Sequence, residues 1–231
     1  YRWGLKVGRE VRLAALEGKP ASAGDRFRLK LADTFVLSHL RDNLGLQDAY
    51  FPVSGGSGMA PDVFRLFHAM GVPLRNIYGA TEMGLFSLHQ GDVYDLETVG
   101  TWLPVMPSLG VPLEHRVTED GELQVKGGAG FSGYYNNPEA TAKKQVDGWY
   151  RTEDAVHETE RGEVVYLERM EDMRSLANGH RYPPQFIENR LRFSPFIKDA
   201  MTLGDPTREF VGAFINIDAE TLGRWAEQRG I

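Results

Sequence analysis

Residues 76–83 read Asn-Ile-Tyr-Gly-Ala-Thr-Glu-Met, so Tyr78, Gly79, Thr81 and Glu82 put a ring, a flexible glycine, a hydroxyl and a carboxylate on one short segment. A ring can stack on a flat base, a hydroxyl can touch a phosphate oxygen, and a carboxylate can hold Mg²⁺. The apolar lead-in, Val72, Pro73, Leu74 and Ile77, reads as a buried strand that ends in a loop. Loops at strand ends are where α/β folds place their chemistry. The same octet also reads as an ordinary strand-end turn with a glycine in it. The surrounding elements have to decide.

Upstream, residues 9–17 have helical character closed by Gly18 and Pro20. A second helix fits 25–44, where Leu29, Ala32, Phe35, Val36, Leu40 and Leu44 share one apolar face and Gly45 ends the run. Residues 51–54 read as a short buried strand, followed by Gly55, Gly56, Ser57 and Gly58. Residues 61–70 form a helix opened by Pro61 and closed by Gly71. Strand, glycine turn, helix, strand is the order of an α/β layer with parallel strands. Gly55 and Gly56 either let backbone approach a flat ligand or make a plain tight turn.

From Asp92 the pattern shifts to short β segments at 98–100, 114–117 and 122–126, with Asp120-Gly121 as a hairpin signal. This predicts a small antiparallel subdomain. Residues 128–133 satisfy G-x-G-x-x-G, and Asp154 follows at about the distance of a dinucleotide site. That site needs its third glycine to open a helix, whereas Tyr134 to Pro138 is loop chemistry, so the dinucleotide reading is rejected. Asp147-Gly148 turns into an aromatic strand carrying Glu153 and Asp154. The charged run 168–172 reads as a solvated linker. Beyond it come the turn Asn178-Gly179, a helix over 184–193, strands over 197–203 and 211–217, and a helix over 219–228. Together they suggest a small α+β domain.

The chain has 231 residues, 42% hydrophobic and 11% aromatic, which suits one large domain or two smaller ones. A net charge of −6 argues against a general nucleic-acid binder. Residues 1–30 nevertheless carry eight basic groups against Glu10, Glu17 and Asp25. They suit either an anionic membrane surface or polyanion, or the solvated face of a helix. With no cysteine, thiol catalysis, disulfides and cysteine-ligated metals are excluded. The six histidines lack metal-ligand spacing. No apolar run approaches the roughly 18 residues of a membrane span. No signal peptide or initiator Met opens the chain, so the expectation is a piece of a longer protein in a reducing, cytoplasmic setting, with peripheral membrane contact left open.

Three segments in order carry a family resemblance: Tyr78-Gly79-Ala80-Thr81-Glu82, Gly133-Tyr134-Tyr135-Asn136-Asn137-Pro138-Glu139-Ala140-Thr141, and Asp147-Gly148-Trp149-Tyr150-Arg151-Thr152-Glu153-Asp154. With them the chain resembles the adenylate-forming superfamily of acyl-CoA synthetases, luciferases and peptide-synthetase adenylation domains. It looks most like the long-chain fatty acyl-CoA synthetase branch, which Val53 to Ser57 and Pro183 to Glu188 also fit. The resemblance implies an α/β fold. Residues 1–170 would be the C-terminal portion of the large nucleotide- and acyl-binding domain, and 171–231 the hinge and first part of a small mobile domain. It implies ATP, Mg²⁺ and coenzyme A, with a fatty acid as the acid substrate. Tyr78 would stack on adenine, with Gly55, Gly56 and Ser57 around the base. Thr81 would touch the α-phosphate and Glu82 would hold Mg²⁺. Asp154 would accept both ribose hydroxyls, Arg169 would contact ribose or phosphate, and Glu171 would be the hinge. Gly179 and His180 would face the site in the thioester step.

The sequence departs from the family pattern at Glu153, where a glycine normally precedes the aspartate. The extra carboxylate can raise the Asp154 pKa or change the turn. Met170 and Glu171 stand in a segment that is often lysine-rich. The phosphate loop expected upstream and the catalytic lysine expected downstream are absent, so the chain by itself is expected to be inactive in adenylation. Competing readings are a sibling ligase for another carboxylic acid, a non-catalytic nucleotide-binding relative, and a generic α/β interaction module. Oligomeric state is not readable.

Overall fold

Helix α1 (Arg2–Leu16) buries Gly4, Val7, Gly8 and Val11 on one side. Gly8 is required there, because a Cβ would lie 2.0 Å from the Ala69 carbonyl oxygen. The computed structural model describes residues 1–106, 110–127 and 130–231. Ser22 caps α2 (Ala23–Ala32) by accepting the Asp25 amide at 3.1 Å. The predicted single helix over 25–44 is continuous but not uniform. A π-helical stretch, Asp33–Leu37, joins α2 to α3 (Ser38–Asn43). Val7, Val11, Ala32 and Leu37 form the core of this helical layer. Asp33, paired with Arg12 at 2.9 Å and Arg41 at 2.7 Å, ties its helices together.

Strand β1 (Val53–Ser54) lies parallel to β2 (Arg75–Ala80) across α4 (Pro61–Met70). The helix has Pro at its first position and ends at Gly71 with φ of 91°, as its sequence signals predict. Beyond β2 the sheet is antiparallel: β3 (Gly84–Leu88) and then β4 (Thr101–Trp102). The parallel layer expected from sequence is thus confined to the β1–β2 pair. Residues 98–100 do not form the predicted strand: Thr98 donates its amide to the Asp95 carbonyl just after a turn, and Val99 donates its amide to the Val164 carbonyl.

The second sheet runs β10-β9-β7-β6-β5, with β8 alongside β9. Its members are β5 (Val105–Met106), β6 (Val111–Val117), β7 (Glu122–Gly127), β8 (Gln145–Val146), β9 (Trp149–Glu158) and β10 (Val164–Arg169). The Asp120-Gly121 hairpin forms as predicted, with Gly121 at φ 87°. Helix α5 (Pro138–Lys144), capped by the Asn137 side chain, precedes β8. Of the rejected dinucleotide motif, Gly128 and Ala129 lie outside the described residues, and no helix opens at Gly133. Phe86, Leu123, Val125, Val164, Tyr150 and neighbours form one core between the two sheets. Each such side chain contributes on the order of 1.5–3 kcal/mol by leaving water.

A short hairpin, β11 (Arg174–Ser175) and β12 (Arg181–Tyr182), turns through Asn178-Gly179. Helix α6 (Pro184–Leu191), the pair β13 (Ile197–Leu203) and β14 (Gly212–Ile217), and α7 (Ala219–Glu227) follow. The charged run before them is not a solvated linker throughout. Glu168 is only 4% exposed, and its carboxylate accepts the Gln185 amide at the start of α6 at 2.8 Å. A buried carboxylate at a helix N-terminus satisfies an otherwise orphaned N–H and the helix dipole together. Among the described residues, no helix is long and apolar enough to cross a membrane.

Candidate functional site

A cleft of about 380 Å³ opens where β2, β10, the loop after β1 and α6 converge. Its walls include Gly56, Ser57, Asn76, Tyr78, Asp154, Tyr166 and Arg169. Of the site residues predicted from sequence, Gly56, Ser57, Tyr78, Asp154 and Arg169 therefore meet in one place. Gly56 takes φ of 83°, open to glycine at no steric cost. Gly55 stands just behind. A Cβ there would lie 2.6 Å from Ile77 Cγ1 and 2.7 Å from its carbonyl oxygen, so glycine lets the loop cross β2.

Tyr78 does not sit in a loop, as the octet suggested. Tyr78 to Ala80 finish β2, and Thr81 to Met83 make the turn into β3. Gly79 is correspondingly a site of close approach rather than of flexibility, since a Cβ would come 2.2 Å from the Gly84 carbonyl oxygen. The Tyr78 ring packs edge-on against Phe86 at 5.5 Å and tilted against Tyr166 at 5.8 Å. Its hydroxyl donates to Asp154 Oδ2 at 2.6 Å. Burial and the neighbouring Asp154 charge push the phenol well above its ordinary pKa, so it stays a donor.

Asp154 is 7% exposed. Arg169 Nη1 donates to its Oδ1 at 2.9 Å and to the Thr152 carbonyl at 2.9 Å. Burial raises the Asp154 pKa, and the Tyr78 hydrogen bond and the Arg169 charge work against that rise. Glu153 is not the cause, contrary to one expectation from sequence, because its carboxylate pairs outward with Lys144 at 2.7 Å. Glu153 takes φ of 60°, the left-handed conformation for which glycine is the usual residue.

Thr81 and Glu82 lie at the β2–β3 turn and do not line the cleft. Thr81 is exposed. Glu82 accepts a short hydrogen bond from the Tyr134 hydroxyl, which reaches across from the Gly133–Thr141 motif. Burial opposes its charge, but the hydrogen bonds from Tyr134, its own backbone amide and Tyr150, with the Lys144 charge, together outweigh this and hold its carboxyl below the usual range. Among the described residues no cluster of three or more His, Asp or Glu is placed to hold a metal. A single ionised carboxylate fits Mg²⁺, which typically takes one or two protein carboxylates plus phosphate and water oxygens.

Glu171 sits in the turn between β10 and β11 and is exposed. Gly179 and His180 occupy the β11–β12 turn and do not line the cleft. Sequence reasoning missed the far wall, which consists of Phe186, Asn189 and Arg190 from α6. Glu97 joins that wall to the rest by pairing with Arg190 and Arg65, each at 2.6 Å. The i, i+3, i+4 spacing of Phe186, Asn189 and Arg190 marks one helix face, but spacing does not say what that face meets.

A scan against protein-family models finds no match. The long-chain-fatty-acid–CoA ligase FadD15 of Mycobacterium bovis is 32% identical over 197 residues, covering 85% of this chain and 31% of that protein. Long chain acyl-CoA synthetase 1 of Arabidopsis thaliana is 27% identical over 215 residues, covering 87% of this chain and 32% of its own length. The chain thus spans about a third of the curated relatives it matches. In fold, the adenylation domain of a carboxylate reductase from Mycobacterium chelonae superposes with a TM-score of 0.61 at 21% identity, covering 99% of this chain and 35% of that one.

Proposed function

Since the chain belongs to the adenylate-forming superfamily, with fatty-acid–CoA ligases among its relatives, we propose that it forms the nucleotide side of an ATP-dependent acyl-CoA synthetase acting on a long-chain fatty acid. In the first step a carboxylate oxygen attacks the α-phosphorus of ATP. The acyl–phosphate bond forms, the bond to the bridging oxygen breaks, and pyrophosphate leaves. In the second step the sulfur of coenzyme A attacks the acyl carbonyl carbon. The thioester forms, the thiol proton is lost, and AMP departs.

Catalysis of this kind rests on positioning and charge stabilisation. Tyr78 offers a ring edge-braced by Phe86 for the adenine, with Gly55, Gly56 and Ser57 supplying backbone beside it. Asp154, held by Tyr78 and Arg169, has lone pairs left on both oxygens for the two ribose hydroxyls. Arg169 adds a fixed cation at the same edge. Thr81 and the ionised Glu82 stand at the phosphate end, Glu82 as the carboxylate that would hold Mg²⁺. That ion would neutralise phosphate charge when bound. Residues 1–170 and 171–231 act as large and small domains hinged at Glu171, so that closure completes each half-reaction in turn.

The observation that carries this reading is the buried Asp154 carboxylate, oriented at the cleft by a phenol and a guanidinium. Titrating the full-length protein with AMP and with a non-hydrolysable palmitoyl-adenylate mimic tests it. Asp154→Ala should weaken AMP binding by about 1.5–3 kcal/mol, the scale of charged hydrogen bonds. Unchanged affinity removes Asp154 from the ribose. Preference for the palmitoyl over a short-chain mimic reads the acid, and equal affinity for both argues against a long-chain substrate.

A further inference from the structure

Between the pairs Gln124–Arg151 and Glu122–Ala155, strand β9 carries three residues, Thr152, Glu153 and Asp154, where β7 carries only Leu123. The excess is a bulge, and bulges re-aim side chains beside functional sites. Here it turns Asp154 toward the cleft. The turn passes through Glu153 at φ of 60°, a conformation that a residue with a side chain holds only when its surroundings compel it.

The surroundings do so from below. Glu122, 2% exposed, points its carboxylate at the bulge, and its Oε1 accepts the Glu153 amide at 3.2 Å. The carboxylate is itself fixed by Arg151, through Nε at 3.1 and 3.2 Å and Nη2 at 3.0 Å, and by the Gln124 amide at 3.2 Å. On the other flank, Thr152 Oγ1 donates to the Leu123 carbonyl at 2.7 Å and accepts the Asp154 amide at 3.1 Å. The Glu153 carbonyl accepts the Met170 amide at 2.8 Å. Each polar group of the kinked peptide is thereby engaged. Glu122 is the one buried charge among these partners.

We propose that Glu122 is a positioning residue for nucleotide binding: its carboxylate holds Glu153 in the left-handed conformation and so aims Asp154 at the ribose. The proposal rests on the assignment of Asp154 to the ribose hydroxyls. A glycine before Asp154 would adopt this conformation freely. This chain has glutamate there and reaches the same geometry through the buried carboxylate beneath it.

The experiment measures, in the full-length protein, the ratio of affinities for AMP and 2′,3′-dideoxy-AMP by calorimetry. That ratio reads the contact to the ribose hydroxyls and is insensitive to a uniform loss of binding. Asp154→Ala should collapse the ratio, and if it does not, the ribose assignment itself fails. Given that collapse, Glu122→Ala should lower the ratio about tenfold, since releasing a strained left-handed residue is worth about that factor. Glu122→Ala/Glu153→Gly should recover most of it, whereas Glu153→Gly alone should leave it unchanged. A role in stability alone would lower the melting temperature without this pattern of loss and rescue. Glu122→Gln keeps an oxygen for the amide but sets an NH₂ against Arg151. It should lose about threefold, and it is the variant to read if the alanine protein does not fold. A folded Glu122→Ala or Glu122→Gln protein with the parental ratio overturns the proposal, as does a double variant that fails to recover.

Discussion

Replacing Tyr78 with phenylalanine removes one oxygen and leaves the ring packed on Phe86 and Tyr166, so the change isolates the 2.6 Å hydrogen bond to Asp154. A hydrogen bond to a charged group is worth about 1.5–3 kcal/mol, and the buried carboxylate would keep its ion pair with Arg169. The loss should depend on pH. Burial raises the folded pKa of Asp154 above its unfolded value of about 3.9. A carboxyl raised in this way stabilises the fold while protonated, and that contribution is lost as pH rises through the folded pKa. The Tyr78 hydroxyl limits the rise, so in Tyr78→Phe the folded pKa climbs further and the extra loss grows with pH. Denaturant unfolding of both proteins at pH 4.5 and pH 7.5 measures it. The difference should approach the full 1.5–3 kcal/mol at pH 7.5 and shrink toward acid pH as Asp154 takes up its proton, which makes the missing bond an ordinary neutral one of about 0.5–1.5 kcal/mol. A difference below about 0.5 kcal/mol at pH 7.5, or one equally large at both pH values, would refute the reasoning.

Two further outcomes can be measured. His89 is fully buried, accepts the Asn76 amide at Nδ1 (3.1 Å) and donates from Nε2 to the Thr98 carbonyl (3.0 Å), so it is neutral. Burial drives its pKa down to about 4 from the usual 6.5. The unfolded chain takes up the proton first, so stability should fall as pH drops through 6.5 and level off near 4, a loss of about 3 kcal/mol. His89→Phe should flatten that acid limb in an unfolding series, and an unchanged limb would remove His89 as its source. If Glu171 is the hinge proposed above, Glu171→Pro in the full-length protein should spare pyrophosphate exchange and abolish thioester formation, because proline fixes one φ there. Equal loss of both half-reactions would place the hinge elsewhere.

Local order was legible in the amino-acid sequence wherever one short-range signal dominated. Pro61 and Gly71 bounded α4, Asp120-Gly121 made its hairpin, and residues 197–203 formed a strand to the residue. Two of the three motifs contained Tyr78 and Asp154, and the family resemblance added Arg169; these three residues do meet at one cleft. Long-range packing decided the rest. Whether residues 78–80 end a strand or begin a loop depends on β3 pairing with them, and that pairing forces Gly79 against Gly84. Glu168 looked solvated within a charged run, yet the start of α6 meets it and buries it. Arg190, on a helix whose partners the sequence does not disclose, becomes a wall of the cleft only through Glu97, 93 positions away. The left-handed turn at Glu153 is the plainest case. Residue preference alone argues against it, and it stands because a buried carboxylate on the neighbouring strand holds its amide. Neighbour-to-neighbour preferences set helices and turns, whereas the charge and hydrogen-bond partners that aim a side chain come from residues distant in sequence and are decided only when the sheets close.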